Sequence, residues 1–247
     1  MNWTWFHKLG SPPHFYRIAG AMIPWFGWPA AVLLFAGLYG GLWLAPPDYQ
    51  MGDGFRIIYV HVPAAWLSMA AYVALAVSAA VGLIWRMKLA ELAARNIAPL
   101  GAAFTLLTLV TGSLWGRPMW GTWWEWDARM TSELVLLFLY LGYIALHDAF
   151  PERRTGARAS AILALVGLVN IPIIHFSVEW WHSLHQGATI TKLSAPSIAT
   201  EMLVPLLVMA LGFTAYFTAV VLVRLRVALL ESERDTAWVR ALGADDV

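Results

Sequence analysis

The charged residues of this chain leave long uncharged stretches between them, and these stretches limit the possible fold more than any other feature. No Asp, Glu, Lys or Arg occurs in residues 18–47, 57–85, 96–116, 159–178 or 202–223. Each stretch has at least the roughly 20 residues that a helix needs to cross the hydrocarbon core of a bilayer. Hydrophobic residues make up 60% of the 247 residues and charged residues only 13%, about half the share in soluble domains. The sequence therefore predicts an all-α integral membrane protein.

A sixth apolar run, residues 134–147, is shorter than the others. Extending it back to Met130 places Glu133 in the first helical turn, where the helix dipole and the headgroup region tolerate a carboxylate. The sequence thus predicts a single membrane domain with six transmembrane helices, near residues 23–44, 60–85, 97–115, 130–147, 159–177 and 200–223. In the first of these helices, Pro24 and Pro29 fall in the first turns, where proline disrupts a helix least.

The distribution of Lys and Arg predicts how the chain is oriented. With both termini in the cytoplasm, twelve of the sixteen basic residues lie on the cytoplasmic side, in keeping with the positive-inside rule. The polar tail, residues 225–247, is then a cytoplasmic segment, predicted to be a short helix or a disordered end. Most of the unusual residues lie in the outside connections, residues 45–59, 116–129 and 178–199. We therefore expect function at the outer face.

Net charge and cysteine content exclude several classes of function. The formal net charge is only +1, so no basic surface suggests that nucleic acid is a partner. The chain has no cysteine, which excludes disulfides, iron–sulfur ligation and a covalent thioether to a cofactor. The high share of hydrophobic residues implies that the chain is surrounded by membrane lipid.

Tryptophan is concentrated in one outside connection, with five of the fifteen tryptophans in residues 115–127. An aromatic belt at the membrane surface accounts for one or two indoles, but five in thirteen positions exceed what anchoring requires. We predict a short amphipathic helix with Pro118 in its first turn. The residues predicted to share one face of it are Trp120, Trp123, Trp124 and Asp127. Indoles beside one carboxylate suit a flat, largely apolar ligand with a polar edge.

Three histidines lie near the outer ends of the predicted helices. His61 begins the second helix, and His182 and His185 follow the fifth. A haem iron held by two histidines needs them on opposite faces of the ring, which His61 and a histidine of the other segment can provide. His182 and His185 are three residues apart and would point the same way on a helix, but with Glu179 they could chelate zinc. His175, deeper in the fifth span, is predicted to be a core histidine. From the residues alone, haem ligation and ordinary interfacial histidines both stay open.

The tryptophan segment and its two flanking segments together resemble those of a known family. The tryptophan segment reads Trp115-Gly116-x3-Trp120-Gly121-x2-Trp124-x-Trp126-Asp127, which resembles the tryptophan-rich (WWD) motif of the haem-handling proteins of cytochrome c maturation. The flanking segments read Arg56-Ile-Ile-Tyr-Val-His61-Val-Pro and Ser177-Val-Glu-Trp-Trp-His-Ser-Leu-His185-Gln-Gly. With six spans and 247 residues, they narrow the resemblance to the CcmC family, haem exporter protein C.

The resemblance implies an inner-membrane protein that binds haem b transiently and non-covalently at its periplasmic face. It implies that haem is delivered to the haem chaperone CcmE, with the small membrane subunit CcmD and the ABC transporter subunits CcmA and CcmB as partners. His61 and His185 fall on the axial ligands of the haem iron. The residues that fall on the haem-binding motif are Trp115, Gly116, Trp120, Gly121, Trp124, Trp126 and Asp127, and Trp123 is a further aromatic residue on the same predicted face.

Two arginines complete the predicted site. Arg56 and Arg129 are the outside cations nearest to these motifs in the sequence, and we predict that they meet the haem propionates through charge-assisted hydrogen bonds. The alternative for each is an ordinary interfacial anchor.

The chain has no ATP motif, phosphate-binding glycine loop or nucleophile with its base. A delivery role is therefore favoured over an enzymatic one, while promotion of the covalent attachment to the chaperone stays open. One alternative is a quinone- or haem-binding subunit of a membrane oxidoreductase, although electron transfer through the membrane would favour histidine pairs within the spans. Another is a structural permease subunit, in which the tryptophans serve only assembly.

Overall fold

The computed structural model describes residues 10–181, Ser183, His185 and 195–244, and the regular elements in these residues are helices. They are α1 (Pro12–Tyr39), continued by a π-helical turn (Gly40–Leu44), a 3-10 helix (Asp53–Ile57), α2 (Ile58–Trp85), α3 (Lys88–Trp120), α4 (Ala128–Asp148), α5 (Arg153–Gly167), α6 (Asn170–Trp180), α7 (Thr200–Glu233) and α8 (Ala237–Ala244). Six helical segments of the described chain are long and apolar enough to cross a membrane, the fifth being α5 and α6 together. The predicted all-α membrane fold with six spans is confirmed.

Several helices extend beyond the uncharged stretches. α1 begins at Pro12 rather than near residue 23, so Pro24 and Pro29 lie inside the helix and not in its first turns. α3 begins at Lys88, and α7 continues to Glu233, into the segment predicted as tail. The hydrocarbon core excludes charges, but a helix can continue through the headgroup region, where charged side chains reach water. Uncharged stretches therefore mark the hydrocarbon core and not the helix ends.

The fifth span is two helices and not the single helix predicted over residues 159–177. α5 ends at Gly167, and α6 begins at Asn170. Pro172 is the physical reason, because it has no N–H to donate to the carbonyl of Leu168 four residues earlier, and its ring crowds that carbonyl. The Leu168 carbonyl instead accepts a tighter bond from the Ile171 N–H at 3.1 Å. This break sets the direction of α6, which carries His175 toward the site described below.

The helices pack mainly as two close pairs, α2 with α3 and α1 with α7, and α4 lies against α3, α5 and α6. Tyr140 of α4 is fully buried and donates its hydroxyl to the Ser68 carbonyl of α2 at 2.7 Å. A Cβ on Gly101 of α3 would overlap the Tyr140 ring, so this glycine allows the ring to enter the three-helix junction. The junction fixes α2, α3 and α4 relative to one another below the ends that carry the tryptophan segment.

The end of the chain folds back onto its beginning. Lys88 at the start of α3 forms an ion pair with Glu233 at the end of α7. The ring of Trp238 in α8 lies 5.6 Å from that of Tyr16 in α1. The tail is thus helical over residues 237–244, one of the two forms predicted for it, and residues 245–247 lie outside the described part of the chain.

Candidate ligand-binding site

A cavity of about 670 Å³ lies at the tryptophan-rich end of the bundle. The first turns of α2 and α7, the last turns of α3 and α6, the start of α4 and the connection before the 3-10 helix form its walls. Its volume is in the range of small-molecule and cofactor sites. His61 and His185 both line it, with Trp115, Trp120 and Arg129, and we call it the histidine cavity. Two distant segments of the sequence thus meet in one site.

A hydroxyl of α3 sets the orientation of the His61 ring. The Nδ1 atom of His61 lies 2.9 Å from the Thr111 Oγ1 atom, and that hydroxyl donates its own hydrogen to the Leu107 carbonyl at 2.7 Å. Because a hydroxyl has one hydrogen to donate, Thr111 accepts from His61, and the ring carries its proton on Nδ1. The Nε2 atom then keeps an unprotonated lone pair, which is what a metal ligand requires.

A carboxylate has the same effect on His185. The Nδ1 atom of His185 lies 3.0 Å from the Asp127 Oδ2 atom, and an ionised carboxylate can only accept. His185 therefore donates from Nδ1, and in the neutral ring Nε2 is then the nitrogen without a proton. A histidine that donates its other ring nitrogen to a carboxylate is the usual arrangement behind a metal-ligating histidine. The two histidines are matched in tautomer although their acceptors differ.

Asp127 connects the tryptophan segment to both α4 and His185. Its Oδ1 atom accepts the Met130 N–H at 2.8 Å, which caps the start of α4, and its Oδ2 atom accepts from His185 and the Ser183 hydroxyl. The residue is only 7% exposed. Burial alone would raise the pKa of its carboxyl, but the hydrogen bonds from His185, Ser183 and Met130 outweigh it and hold the pKa at about 2. The carboxylate is thus ionised throughout the physiological range.

Two indoles connect the histidines. The Trp115 ring lies edge-on to His61 with centroids 5.7 Å apart, the Trp120 ring lies 5.5 Å from His185, and the two indoles are 6.4 Å apart. A continuous series of four rings therefore runs along the wall from one histidine to the other. The Trp115 indole N–H is buried and has no hydrogen-bond partner among the described residues. A buried donor without a partner is costly unless a ligand supplies an acceptor.

The remainder of the tryptophan segment is not helical, so the prediction of a short helix from Pro118 to Asp127 is wrong. α3 runs through to Trp120 and ends at Gly121, whose φ of 79° is left-handed, a conformation that glycine adopts without strain. The chain then remains irregular until Asp127 caps α4. The predicted common face therefore does not form. A Cβ on Gly116 would lie 3.0 Å from the Thr122 carbonyl oxygen, so this glycine lets the irregular segment pack against α3.

As a consequence, the tryptophans divide into two groups. Trp115 and Trp120 line the histidine cavity, whereas Trp123, Trp124 and Trp126 do not. The Trp123 and Trp126 side chains are 56% and 74% exposed, and Trp124 contacts Trp126 with centroids 5.4 Å apart. The segment thus forms one wall of the cavity and presents a separate apolar surface beside it.

The two predicted arginines occupy different positions. Arg129 lines the cavity, and its guanidinium contacts the Ser177 hydroxyl at 3.3 Å and two backbone carbonyls of α6 at 3.5 Å. Arg56 does not line the cavity, because its guanidinium donates to the Gly41 carbonyl at 2.8 Å and to Asp53 at 2.9 Å. Among the residues that the structure describes, Arg129 is therefore the cation that a ligand in the cavity would meet.

Two cavity residues were assigned differently by the sequence. Glu133 is 5% exposed and accepts from the Ser68 hydroxyl at 2.8 Å, so it is a buried wall residue of the cavity and not a headgroup-facing one. His175 also lines the cavity and is exposed rather than packed in the core. The position of Glu133 inside an apolar run was the available signal, since an ionisable residue within a span usually faces an interior site. His182, discussed above as a zinc ligand, lies outside the described residues.

Fold and site together define a multi-pass membrane protein with a ligand cavity walled by histidine, tryptophan and arginine at one end of its bundle. Residues 5–240 match the family model "Heme exporter protein C", and the chain belongs to this family. It is 52% identical over 240 residues to Heme exporter protein C of Haemophilus influenzae, covering 97% of this chain and 98% of the relative. It is 51% identical over 240 residues to that of Escherichia coli K12, covering 97% of each chain, and 40% identical over 220 residues to that of Paracoccus denitrificans, covering 89% of this chain and 91% of the relative. Membership identifies a haem-handling membrane protein of cytochrome c maturation, as the motif predicted.

Proposed function

We propose that this chain holds haem b at the periplasmic face of the bacterial inner membrane and delivers it to the haem chaperone CcmE. The observation that carries the proposal is the pair His61 and His185, which come from separate segments, line one cavity and each place Nδ1 beside an acceptor, Thr111 or Asp127. Haem is the cargo of such a site, and its iron accepts neutral imidazole nitrogens as axial ligands.

The residues between the two histidines fit the macrocycle and the propionates of haem. Trp115 and Trp120 offer broad apolar faces to a flat macrocycle. Arg129 offers a cation to a propionate, because its contacts with the α6 carbonyls are long at 3.5 Å and a carboxylate is a stronger acceptor. Arg56, which is engaged by Asp53 and Gly41, is the weaker candidate for that role.

The same residues support transient rather than permanent binding. The chain has no cysteine that could trap haem in a thioether bond. Trp123 and Trp126 expose apolar surface beside the cavity, which we assign to contact with the chaperone. Release of the loaded chaperone is assigned to CcmA and CcmB, since this chain carries no ATP motif, and CcmD is assigned as the small subunit beside this chain. We therefore class the chain as a delivery component.

Orientation follows from charge. Six spans return the chain to the side on which it starts, and the connections on that side hold most of the basic residues. The positive-inside rule favours the cytoplasm for that side, which supports our assignment of the histidine cavity to the periplasmic face. A cysteine introduced at exposed Trp126 should then react with a membrane-impermeant maleimide added to intact spheroplasts, and one introduced at exposed Arg158 should not.

A transfer assay tests delivery. The full-length chain is purified with and without co-expressed CcmE, and covalent haem on the chaperone is measured by haem staining after denaturing electrophoresis. Wild type is expected to carry haem alone and to transfer it when CcmE is added. His61→Ala and His185→Ala should lower both haem content and transfer, whereas His14→Ala, at the opposite end of the bundle, should lower neither.

Two outcomes would contradict the proposal. Full transfer by the His61→Ala/His185→Ala double variant would remove the cavity from the delivery route. Consumption of a quinone by the purified chain, without haem transfer, would favour the oxidoreductase alternative.

A further inference from the structure

A second cavity, of about 390 Å³, lies at the opposite end of the bundle from the histidine cavity. Three arginines from three different helices line it, Arg95 of α3, Arg153 of α5 and Arg224 of α7, and we call it the arginine cavity. All three side chains are exposed, and they line the same cavity although they come from separate helices. The cavity therefore presents three cations to one volume at the surface of the bundle.

The charges of the arginine cavity are incompletely paired. Asp148 accepts from Arg95 at 3.2 Å and lies 3.1 Å from His147 Nδ1. Arg153 and Arg224 make no hydrogen bond or ion pair with the described residues. Glu231, the other carboxylate of the lining, has no partner there either. Three guanidinium groups thus face two carboxylates, one of which is already engaged, and two of the guanidinium groups remain available to an anion.

The cavity also has an apolar part. Leu92, Pro99, Ile144 and Ala228 line it together with the charged residues. α4 and α7 both pack against α3 but not closely against each other, so the cavity is a groove between them with α3 as its floor. Pro99 lies deeper along α3 than Arg95, and Ile144 lies deeper along α4 than Asp148, so the part of the lining nearest the bilayer interior includes apolar side chains.

We propose that the arginine cavity binds the phosphate of an anionic phospholipid, with Arg153 and Arg224 on the phosphate and the apolar groove along an acyl chain. Guanidinium groups match the geometry of phosphate oxygens, and basic pockets between transmembrane helices on the cytoplasmic side are suited to anionic headgroups. A free phosphate ion shares the polar half of this chemistry but would leave the apolar half of the groove unused. The occupant is thus assigned to the bilayer and not to the solution.

The test measures lipid retention by the full-length chain in neutral detergent, using native mass spectrometry. The probes are dioleoylphosphatidylglycerol, dioleoylphosphatidylcholine and inorganic phosphate at matched ionic strength. Wild type is expected to bind phosphatidylglycerol in preference to the other two. Arg153→Gln/Arg224→Gln should weaken phosphatidylglycerol binding roughly 10- to 30-fold, because each arginine near an anionic surface contributes roughly a fivefold factor.

A control variant of equal charge separates the groove from general electrostatics. Arg17→Gln/Arg158→Gln removes two exposed arginines that do not line the cavity, and it should bind phosphatidylglycerol as wild type does. Equal weakening in both double variants, or no preference for phosphatidylglycerol in wild type, would overturn the proposal. Phosphate binding as tight as lipid binding would overturn the assignment to lipid.

Two further measurements keep the result interpretable. The melting temperature of each lipid-free variant is recorded, and the single variant Arg224→Gln replaces the double one if the latter unfolds early. Haem content is measured on the same samples and is expected to be unchanged, since the two cavities lie at opposite ends of the bundle. A failed prediction of lipid binding at the arginine cavity can thus be distinguished from a failed prediction of haem binding at the histidine cavity.

Discussion

Replacing Asp127 with asparagine should weaken haem binding while the cap of α4 is kept. The carboxylate accepts on both sides, from the Met130 N–H on Oδ1 and from His185 and Ser183 on Oδ2. An asparagine has one oxygen and one NH₂ group. If its oxygen keeps the helix cap, its NH₂ faces the Nδ1 atom of His185, and that ring must move its proton to Nε2 to accept.

The magnitude follows from this geometry. A proton on Nε2 occupies the lone pair that the iron needs, and loss of such an outer partner typically weakens metal binding by about 10- to 100-fold. Asp127→Asn keeps the cap of α4 but loses the charged acceptor of His185 and Ser183, so its free energy of unfolding should fall by about 2 kcal/mol. Asp127→Ala should lose both functions and in addition destabilise the protein by about 1 kcal/mol.

The assay is a haem titration of the purified full-length chain, followed at the Soret band and paired with a thermal unfolding curve. Asp235→Asn is the matched control, because Asp235 is an exposed carboxylate of the tail that pairs only with neighbouring Arg234. The reasoning would be refuted by an Asp127→Asn variant that binds haem as tightly as wild type while melting at the same temperature.

Three further outcomes are expected. Thr111→Val removes the acceptor of His61 Nδ1 and should weaken haem binding in the same titration. The loss should be smaller than for Asp127→Asn, because the lost partner is neutral. Thr111→Ser keeps the hydroxyl and should bind haem as wild type does. Trp120→Leu should lower haem affinity and Trp123→Leu should leave it unchanged, since only the first lines the cavity; equal losses would contradict the division of the tryptophans. The Asp127 carboxyl has its pKa lowered from 3.8 to about 2, so its contribution of about 2 kcal/mol is fully present above about pH 4 and lost as pH falls toward 2. The difference in unfolding free energy between wild type and Asp127→Asn should therefore shrink on acidification, and a constant difference would argue against an ionised carboxylate in the folded state.

Much of the fold was predictable because the hydrocarbon core of the bilayer excludes charged residues from the spans. The absence of charge over about 20 residues locates a span regardless of its neighbours. The ends of helices depend on local hydrogen bonding instead, which is why the break ahead of Pro172 and the long extension of α7 were missed. Pro172 was a readable signal, since a proline inside a helical run removes one backbone bond.

The candidate site was predictable in its residue types and less so in its geometry. The residues alone paired His61 with a histidine of the other segment, the family resemblance selected His185, and the cavity brings His61 and His185 together. The end of α3 at Gly121 and the cap at Asp127 carried local signals, a glycine after the helix and an aspartate before the next one. The prediction of a continuous helix from Pro118 to Asp127 overlooked both signals. The position of Glu133 within an apolar run indicated an interior site, but its partner Ser68 lies in another helix, and no local pattern reveals a contact of that kind.

Axial ligation of haem by His61 and His185 is the central claim, and the electron paramagnetic resonance spectrum of the haem-loaded, oxidised chain tests it most directly. Wild type is expected to give a low-spin signal typical of two histidine ligands. His61→Ala and His185→Ala should each convert it to a high-spin signal, added imidazole should restore the low-spin form, and His14→Ala should match wild type. A low-spin signal unchanged in both His61→Ala and His185→Ala would contradict the account.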